Sequence, residues 1–479
     1  MSALLARTLV FVTSAAVLVV EILAVRLLAP YQGVSLETFT AIIGVILAGI
    51  SLGAWMGGRE ADRRDPTTLL GPLLVGGGVS TALAPLVVDI AGPALSTDAA
   101  SAVLVSVLSF LVPSALLAAV PPVVVKIRLA SLDDTGSVVG SYSAIGTAGA
   151  IFGTFVAGFY LIGVFPTRPT VVAVGLTMGA VGAVMWTTRL VWKTIAVLLV
   201  GTIGLSVTLS ASPCDHDTKY HCATVEVDPA RESGRFLILD RLWNSYVDLE
   251  DPSYLRFRYI RLMADVIDVH SPSGSLEVLS IGGGGFTMPG HLARDRPGTR
   301  NIVLEIDPDL IGIGRSELAL QSDVEVRVGD ARIGVLDVSD DSIDVVVGDA
   351  YSGRSVPWHL TTVEYAREIE RVLKPEGVYT INVIDRDARR FVRAEALTLT
   401  QVFSNVVLFA PPGYLSGDSG GNFVIVASQS PIDAVEIESR LRSRGSDEIG
   451  LQGADLTAFV ADSFVLRDDF APVDQVLGR

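Results

Sequence analysis

Long apolar stretches fill the first 212 residues, and short segments that carry most of the charged residues separate them. A stretch of about 20 apolar residues can cross a bilayer as a helix. The pattern predicts about seven membrane spans, lying roughly at 8–28, 38–58, 69–91, 101–125, 137–163, 167–187 and 191–211. Small residues recur within them, as at Gly146, Gly149, Gly153 and Gly158, which predicts closely packed helices. A glycine-lined transport path is the alternative interpretation.

Charged residues in this half bear on function and on orientation. Glu21 lies inside the first span, where a carboxylate is a functional-site candidate, although an ion pair with Arg26 would explain it equally well. With seven spans, most of the cations fall on one side: Arg7, Arg59, Arg63, Arg64, Lys126, Arg128, Arg189 and Lys193. The positive-inside rule then places the N-terminus in the cytoplasm, and an odd number of spans places the C-terminal half outside.

The two cysteines agree with that orientation. Cys214 and Cys222 follow the last predicted span, and a pair outside the cytoplasm is expected to form a disulfide. Their spacing does not match a zinc knuckle, and His216 and His221 add little, so we predict no metal site. In the reducing cytoplasm, which is the alternative location, both thiols would stay free.

From residue 213 onward the pattern changes to that of a soluble protein. Residues 222–249 alternate apolar and polar positions, which predicts a small β-element within 213–251. Residues 252–479 then alternate between strands and helices. The strands are predicted at 276–281, 301–306, 324–328, 343–347, 378–383, 406–409 and 423–427. This alternation is typical of a Rossmann-like, doubly wound α/β domain, with a parallel sheet and helices on both faces.

Composition supports a membrane half joined to a soluble half. Half of the chain is hydrophobic and only 18% is charged, an imbalance that residues 1–212 produce. The mean hydropathy is +0.50 and the isoelectric point is about 4.8. A formal charge of −16 argues against a nucleic-acid partner, which would need a basic face. The lipid bilayer is the expected large partner.

Glycines and acids follow the predicted strands of the soluble half. The first strand leads into a glycine loop formed by Gly282, Gly283, Gly284 and Gly285. Glycine lets the backbone approach a ligand, and a helix N-terminus follows. Glu305, Asp330 and Asp349 end the next three strands, where acids can accept hydrogen bonds from a nucleoside or an amine. Helix capping is the simpler explanation of each acid alone, but the ordered set predicts a nucleoside-cofactor site.

These motifs resemble those of the polyamine aminopropyltransferases, or spermidine synthases. The resemblance spans residues 220–383, and the opening of the membrane half is similar to the bacterial form that carries an N-terminal membrane domain. It is carried by Leu237-Ile-Leu-Asp240, Tyr254, the glycine loop, Leu304-Glu-Ile-Asp307, Gly329-Asp-Ala331, Gly348-Asp-Ala350 and Leu373-Lys-Pro375.

The resemblance implies a role for each acid. Glu305 would hold the ribose, Asp330 with Ala331 the adenine, and Asp349 would deprotonate a small-molecule amine acceptor. The cofactor would be decarboxylated S-adenosylmethionine or S-adenosylmethionine, without a metal, because a sulfonium is already a good leaving group. A homodimer is also implied by the family.

The sequence departs from the family where a polyamine would be recognised. The loop aspartate is replaced by Gly285, and the glutamate of a Tyr-His-Glu motif by Arg256, two residues after Tyr254. Further pocket positions that the resemblance assigns hold His221, Asn244 and Ser352. His359 either lines the acceptor pocket or packs at a helix entry. Two alternatives therefore stay open: a methyltransferase with an unknown acceptor, and a non-enzymatic ligand sensor attached to a transporter-like membrane half.

Overall fold

The computed structural model describes residues 1–32, 36–96, 99–129, 135–186, 214–240, 242–353 and 355–477. They form two compact units, Met1–Cys222 and Ala223–Arg479. Each unit is described by itself below.

Six helices of the first unit are long and apolar enough to cross a membrane. They span Ala3–Gln32, Leu36–Arg63, Pro66–Ala94, Ala99–Arg128, Thr135–Val164 and Thr167–Trp186. The fourth and fifth each contain one π-helical turn, at Val107–Leu111 and Ala157–Leu161. These helices coincide with the first six predicted spans and are compatible with a multi-pass membrane domain. The seventh predicted span, 191–211, lies outside the described residues.

Glycine permits close contacts between these helices. A Cβ at Gly78 in the third helix would lie 2.3 Å from the backbone nitrogen of Gly179 in the sixth. A Cβ at Gly149 in the fifth helix would lie 2.2 Å from the carbonyl oxygen of Phe11 in the first. Neither distance is tolerable for a real side chain, so the packing interpretation accounts for these glycines. Gly158, by contrast, has nothing within 4 Å.

Residues 214–222 of the first unit lie against one end of the helices. Cys214 and Cys222 are joined by a disulfide, with their Cα atoms 5.1 Å apart. Within the loop that it closes, Asp217 forms an ion pair with Arg26 and accepts a 2.7 Å hydrogen bond from the backbone nitrogen of Thr167. Arg26 thus pairs with Asp217 and not with Glu21, so the alternative of a Glu21–Arg26 pair is not supported.

The second unit begins with a small antiparallel sheet. Its strands are β2 (Cys222–Asp228), β3 (Arg231–Leu239) and β4 (Leu242–Asp248), whereas the two-residue strand β1 (His216–Asp217) lies in the first unit. Val225 pairs with Leu237, and Leu237 pairs with Ser245, so the inward side chains share one face.

An eight-stranded sheet forms the centre of this unit. Its strands are β5 (Glu277–Ile281), β6 (Arg300–Glu305), β7 (Glu325–Val328), β8 (Ile343–Gly348), β9 (Leu373–Asp385), β10 (Asn405–Ala410), β11 (Gly421–Ser428) and β12 (Ile449–Leu451). They lie in the order β12-β10-β11-β9-β8-β5-β6-β7. The order reverses beside β5, and such a switch point is where open α/β sheets bind ligands.

Helices cover both faces of the sheet. The longer ones are Arg258–His270, Thr287–Asp295, Pro308–Glu317, Val363–Val372, Arg390–Leu399, Ala434–Ser443 and Gly453–Val460, and shorter ones lie at Ala331–Gly334, Pro412–Ser416 and Val473–Leu477. Side chains of β8 alternate between two cores: Val346 packs in one, and Val345 and Val347 in the other. This architecture confirms the predicted Rossmann-like fold.

The expectation of a wholly parallel sheet is wrong at one edge. β5 to β9 pair in parallel, but β11 pairs antiparallel with β9 and with β10, and β12 pairs antiparallel with β10. Ten residues separate β10 from β11, and they hold a single short helix. A parallel connection needs about a dozen residues or more, so this segment returns as an antiparallel strand.

Candidate active site

The glycine loop begins where β5 ends and requires glycine at two positions. Gly282 has φ +89°, and a Cβ there would lie 2.7 Å from the carbonyl oxygen of Asp349. Gly284 has φ +49°, and a Cβ there would lie 2.7 Å from Oδ1 of Asn244. The loop therefore fits tightly between the end of β8 and the strand β4, and Asn244 borders it. These contacts leave its backbone N–H groups close to any ligand at the strand ends.

Glu305 ties the end of β6 to this loop. Its Oε2 accepts hydrogen bonds from the backbone nitrogens of Gly283 (2.7 Å) and Gly284 (3.4 Å), and its Oε1 accepts one from that of Asp307 (2.8 Å). The carboxyl is 5% exposed, and burial raises its pKa against the opposing effect of these bonds. An acceptor fixed against a glycine loop is suited to binding sugar hydroxyl groups.

Asp330 has two different partners. One carboxylate oxygen caps the helix Ala331–Gly334 by accepting a 2.8 Å bond from the backbone nitrogen of Arg332. The other lies 3.0 Å from Nε2 of His359. Arg332 also donates to the carbonyl oxygen of His359, at 2.9 Å, which fixes this segment. His359 therefore lies beside Asp330, and the sequence alone gave no indication of that contact.

Asp349 is held by two neutral donors at the end of β8. Nδ2 of Asn382 donates to its Oδ1 at 2.9 Å, and the hydroxyl of Tyr259 donates to its Oδ2 at 3.1 Å. Nδ2 of Asn422 in turn donates to Oδ1 of Asn382, also at 2.9 Å. Burial raises the pKa of Asp349 to about 6, although both hydrogen bonds favour the ionised form. A carboxyl with this pKa can exchange a proton near neutral pH.

A pocket adjoins Asp349, the glycine loop and the small sheet. Its wall includes Tyr246, Arg256, Tyr259, Gly282, Gly283 and Asp349. One acid, one guanidinium, aromatic rings and loop amides thus face one space. The space is small, about 30 Å³, so it can take a charged or polar end of a ligand and not a whole ligand.

Other predicted pocket residues lie elsewhere. Tyr254 lines a neighbouring cavity with Phe286, and its ring lies 4.1 Å from the guanidinium of Arg231. Ser352 forms a tight backbone turn with Ser355, at 2.8 Å, and is not among the residues that line the Asp349 pocket. His221 lies in a turn of the first unit, and its role stays a prediction.

Two residues of the site escaped the sequence analysis: Tyr259 and Asn382. Asn382 carried a usable signal, because it is an amide between Ile381 and Val383 in an otherwise apolar strand. Tyr259 carried none, since nothing in its helix distinguishes it from a packing residue.

Comparisons with known proteins agree with this geometry. No protein-family model matches the chain. The polyamine aminopropyltransferase of Vibrio vulnificus (strain CMCP6) is 28% identical over 187 residues, which cover 38% of this chain and 59% of that relative. The polyamine aminopropyltransferase of Chromobacterium violaceum is 24% identical over 218 residues, which cover 45% of this chain and 80% of the relative.

A solved structure matches a larger share of the chain than these two relatives do. The crystal structure of a probable spermidine synthase from Corynebacterium glutamicum ATCC 13032 superposes with a TM-score of 0.51 and 26% identity. The superposition covers 55% of this chain and 99% of the Corynebacterium chain.

The sheet order and the acids at the strand ends define the second unit, called the soluble unit below, as a Rossmann-like α/β domain. Its sequence and fold are similar to those of the polyamine aminopropyltransferases, which confirms the predicted resemblance. The chain spans 59% of the length of the Vibrio relative.

Proposed function

We propose that the protein is a membrane-bound transferase of the spermidine synthase type, which moves an aminopropyl group from decarboxylated S-adenosylmethionine, or a close relative, to a small amine. The observation that carries this proposal is Asp349, a carboxyl with a pKa of about 6 on the wall of a pocket beside the glycine loop. Homology to aminopropyltransferases supports the reaction class.

The nucleoside would bind along the carboxyl ends of β5, β6 and β7. Glu305 would accept hydrogen bonds from the ribose hydroxyls, since its carboxylate already faces the amides of Gly283 and Gly284. Asp330, followed by Ala331, would accept a hydrogen bond from the adenine amino group. That bond would either replace the contact of Asp330 with His359 or form beside it. No metal takes part in this scheme.

The transfer itself requires a free amine. The amine nitrogen attacks the carbon next to the sulfonium, a C–N bond forms, and the C–S bond breaks with its electron pair going to sulfur. The products are a neutral thioether and an alkylated ammonium. The proton that the acceptor ammonium loses before the attack goes to Asp349. The carboxylate first binds the ammonium form and then accepts its proton, which a pKa near 6 allows at neutral pH.

The test uses the full chain in lipid nanodiscs. Decarboxylated S-adenosylmethionine is mixed with a panel of amines, and the release of methylthioadenosine is followed by mass spectrometry. We expect Asp349→Asn to lower the rate at least about 100-fold, since general-base catalysis contributes roughly that much. Asp323→Asn, at an exposed acid of the same unit, is the matched control. Undiminished release by Asp349→Asn would contradict the assigned role.

Binding of the nucleoside is tested separately. Calorimetric titration with methylthioadenosine should show an affinity that Asp330→Ala weakens about tenfold or more, because a buried donor of the ligand would lose its acceptor. If no nucleoside binds, both transferase hypotheses fail and a sensor of another ligand becomes the better explanation.

Methyl transfer from S-adenosylmethionine is the second candidate. It is favoured by Gly285, which provides no acid for an aminopropyl amine and whose backbone nitrogen donates instead to Oγ of Ser245 at 2.9 Å. The same mass spectra discriminate the two reactions, because methyl transfer releases S-adenosylhomocysteine and adds 14 mass units to the acceptor (about the mass of one CH₂).

We infer that the soluble unit lies on the side of the membrane opposite Met1, outside the cytoplasm. Asp217 contacts Arg26, near the end of the first helix, and Thr167, at the start of the sixth. The seven spans that the sequence predicts and the charge bias of the loops favour the same orientation.

Thiol labelling in intact cells tests this orientation. After treatment with an impermeant reductant, an impermeant maleimide should label Cys214 and Cys222. A Ser2→Cys variant that lacks both native cysteines is the control and should stay unlabelled. Labelling of Ser2→Cys alone would reverse the orientation.

A further inference from the structure

Arg256 brings a positive charge to the pocket that contains Asp349. Both residues line the same space. Arg256 precedes the helix Arg258–His270, and Asp349 follows the strand β8. The guanidinium lies 5.9 Å from the ring centre of Tyr246 and 6.0 Å from that of Phe236. These rings orient a side chain that is otherwise exposed.

In the described part of the chain, Arg256 forms no ion pair within 4.0 Å. A hydrogen bond with Tyr254 and the more distant charge of Asp228 raise its pKa, so it stays a cation at every relevant pH. Its planar donor fork matches a carboxylate, which it can bind through two parallel hydrogen bonds.

The remaining polar groups of the pocket make it electrically balanced. Asp349 is one acid, Arg256 is one cation, and the donors to Asp349 are the neutral groups of Tyr259 and Asn382. A ligand with two ammonium groups would meet one acid and one repelling guanidinium. A ligand with one ammonium and one carboxylate would meet a partner for each charge.

We propose that the pocket binds an α-amino carboxylate group, with Arg256 holding the carboxylate and Asp349 the amine. This inference rests on the proposed nucleoside-dependent transfer and specifies the class of its substrate. The same group has two sources: an amino acid that serves as acceptor, or the methionine end of S-adenosylmethionine that serves as donor.

Titration of the full chain in nanodiscs tests the inference with three nucleosides. Methylthioadenosine lacks the tail, decarboxylated S-adenosylmethionine carries the amine alone, and S-adenosylmethionine carries the amine and the carboxylate. Arg256→Gln removes the charge, Arg256→Glu reverses it, and Arg315→Gln, at an exposed arginine outside the pocket, is the control. Methylthioadenosine affinity should be the same in all four proteins.

If the carboxylate belongs to the donor, the wild type should prefer S-adenosylmethionine about tenfold, Arg256→Gln should lose the preference, and Arg256→Glu should invert it. If it belongs to the acceptor, the two donors bind alike, and transfer to ornithine should exceed transfer to 1,4-diaminobutane by a similar factor. That ratio should invert in Arg256→Glu.

Two results separate the possible failures. Absence of methylthioadenosine binding would overturn the proposed function itself. Binding of methylthioadenosine with donor and acceptor preferences that neither Arg256 variant alters would leave the proposed function standing and overturn this inference alone.

Discussion

Replacing Asp349 with asparagine should remove a pH dependence from the stability of the soluble unit. Burial raises the pKa of Asp349 from 3.8 to about 6, so the folded protein holds a proton that the unfolded chain releases at lower pH. The stabilisation is complete below the unfolded pKa and is lost as the pH rises through the folded one. A difference of about two pKa units corresponds to about 3 kcal/mol, and asparagine cannot ionise.

Hydrogen exchange, measured by mass spectrometry on the full chain in nanodiscs, gives the free energy of opening for peptides that cover β8. Between pH 4 and pH 7, the variant should gain about 2.4 kcal/mol of opening free energy relative to the wild type, since the unfolded carboxyl is already partly ionised at pH 4. The asparagine amide can accept from Asn382 through its oxygen and donate to the Tyr259 hydroxyl through its nitrogen, and any remaining difference in these bonds is independent of pH and shifts the curve without tilting it. Asp323→Asn should give a flat difference. A flat difference for Asp349→Asn would refute the raised pKa.

Three further changes probe other contacts. Tyr259→Phe removes one donor to ionised Asp349, so the pKa that governs the rate of transfer should rise by about one unit, visible as a shift of the pH–rate profile to higher pH. His359→Ala frees one oxygen of Asp330, and calorimetry should show that methylthioadenosine binds up to about fivefold tighter. Weaker binding would contradict competition between His359 and the nucleoside for Asp330. Gly78→Leu forces apart the third and sixth membrane helices and should cost roughly 2–3 kcal/mol, measured as a lower thermal midpoint in detergent, whereas Gly158→Leu should change little.

The sequence was sufficient for features that depend on local pattern. Strand positions followed from apolar runs, and the loop at Gly282 followed from its composition and its place after a strand. The acids at Glu305, Asp330 and Asp349 could be placed together because parallel strands bring their carboxyl ends to one edge.

Features that depend on distant pairing could not be predicted. The contact of Asn382 with Asp349 requires the register of β8 on β9, and the contact with Asn422 requires that β11 insert antiparallel between β9 and β10. The ion pair of Arg26 with Asp217 joins residues 191 positions apart. No periodicity along the chain encodes such partners.

Protonation of the two carboxylate oxygens of Asp349 would require different rearrangements of the neighbouring hydrogen bonds. On Oδ2 a proton is accommodated by rotation of the Tyr259 hydroxyl, which can accept as readily as it donates. On Oδ1 it requires Asn382 to turn its amide over, and Asn422 to turn as well, since each now donates in one direction along the row. The two amides therefore disfavour protonation of Oδ1, and Oδ2, beside the Tyr259 hydroxyl, is the oxygen that gains and loses the proton.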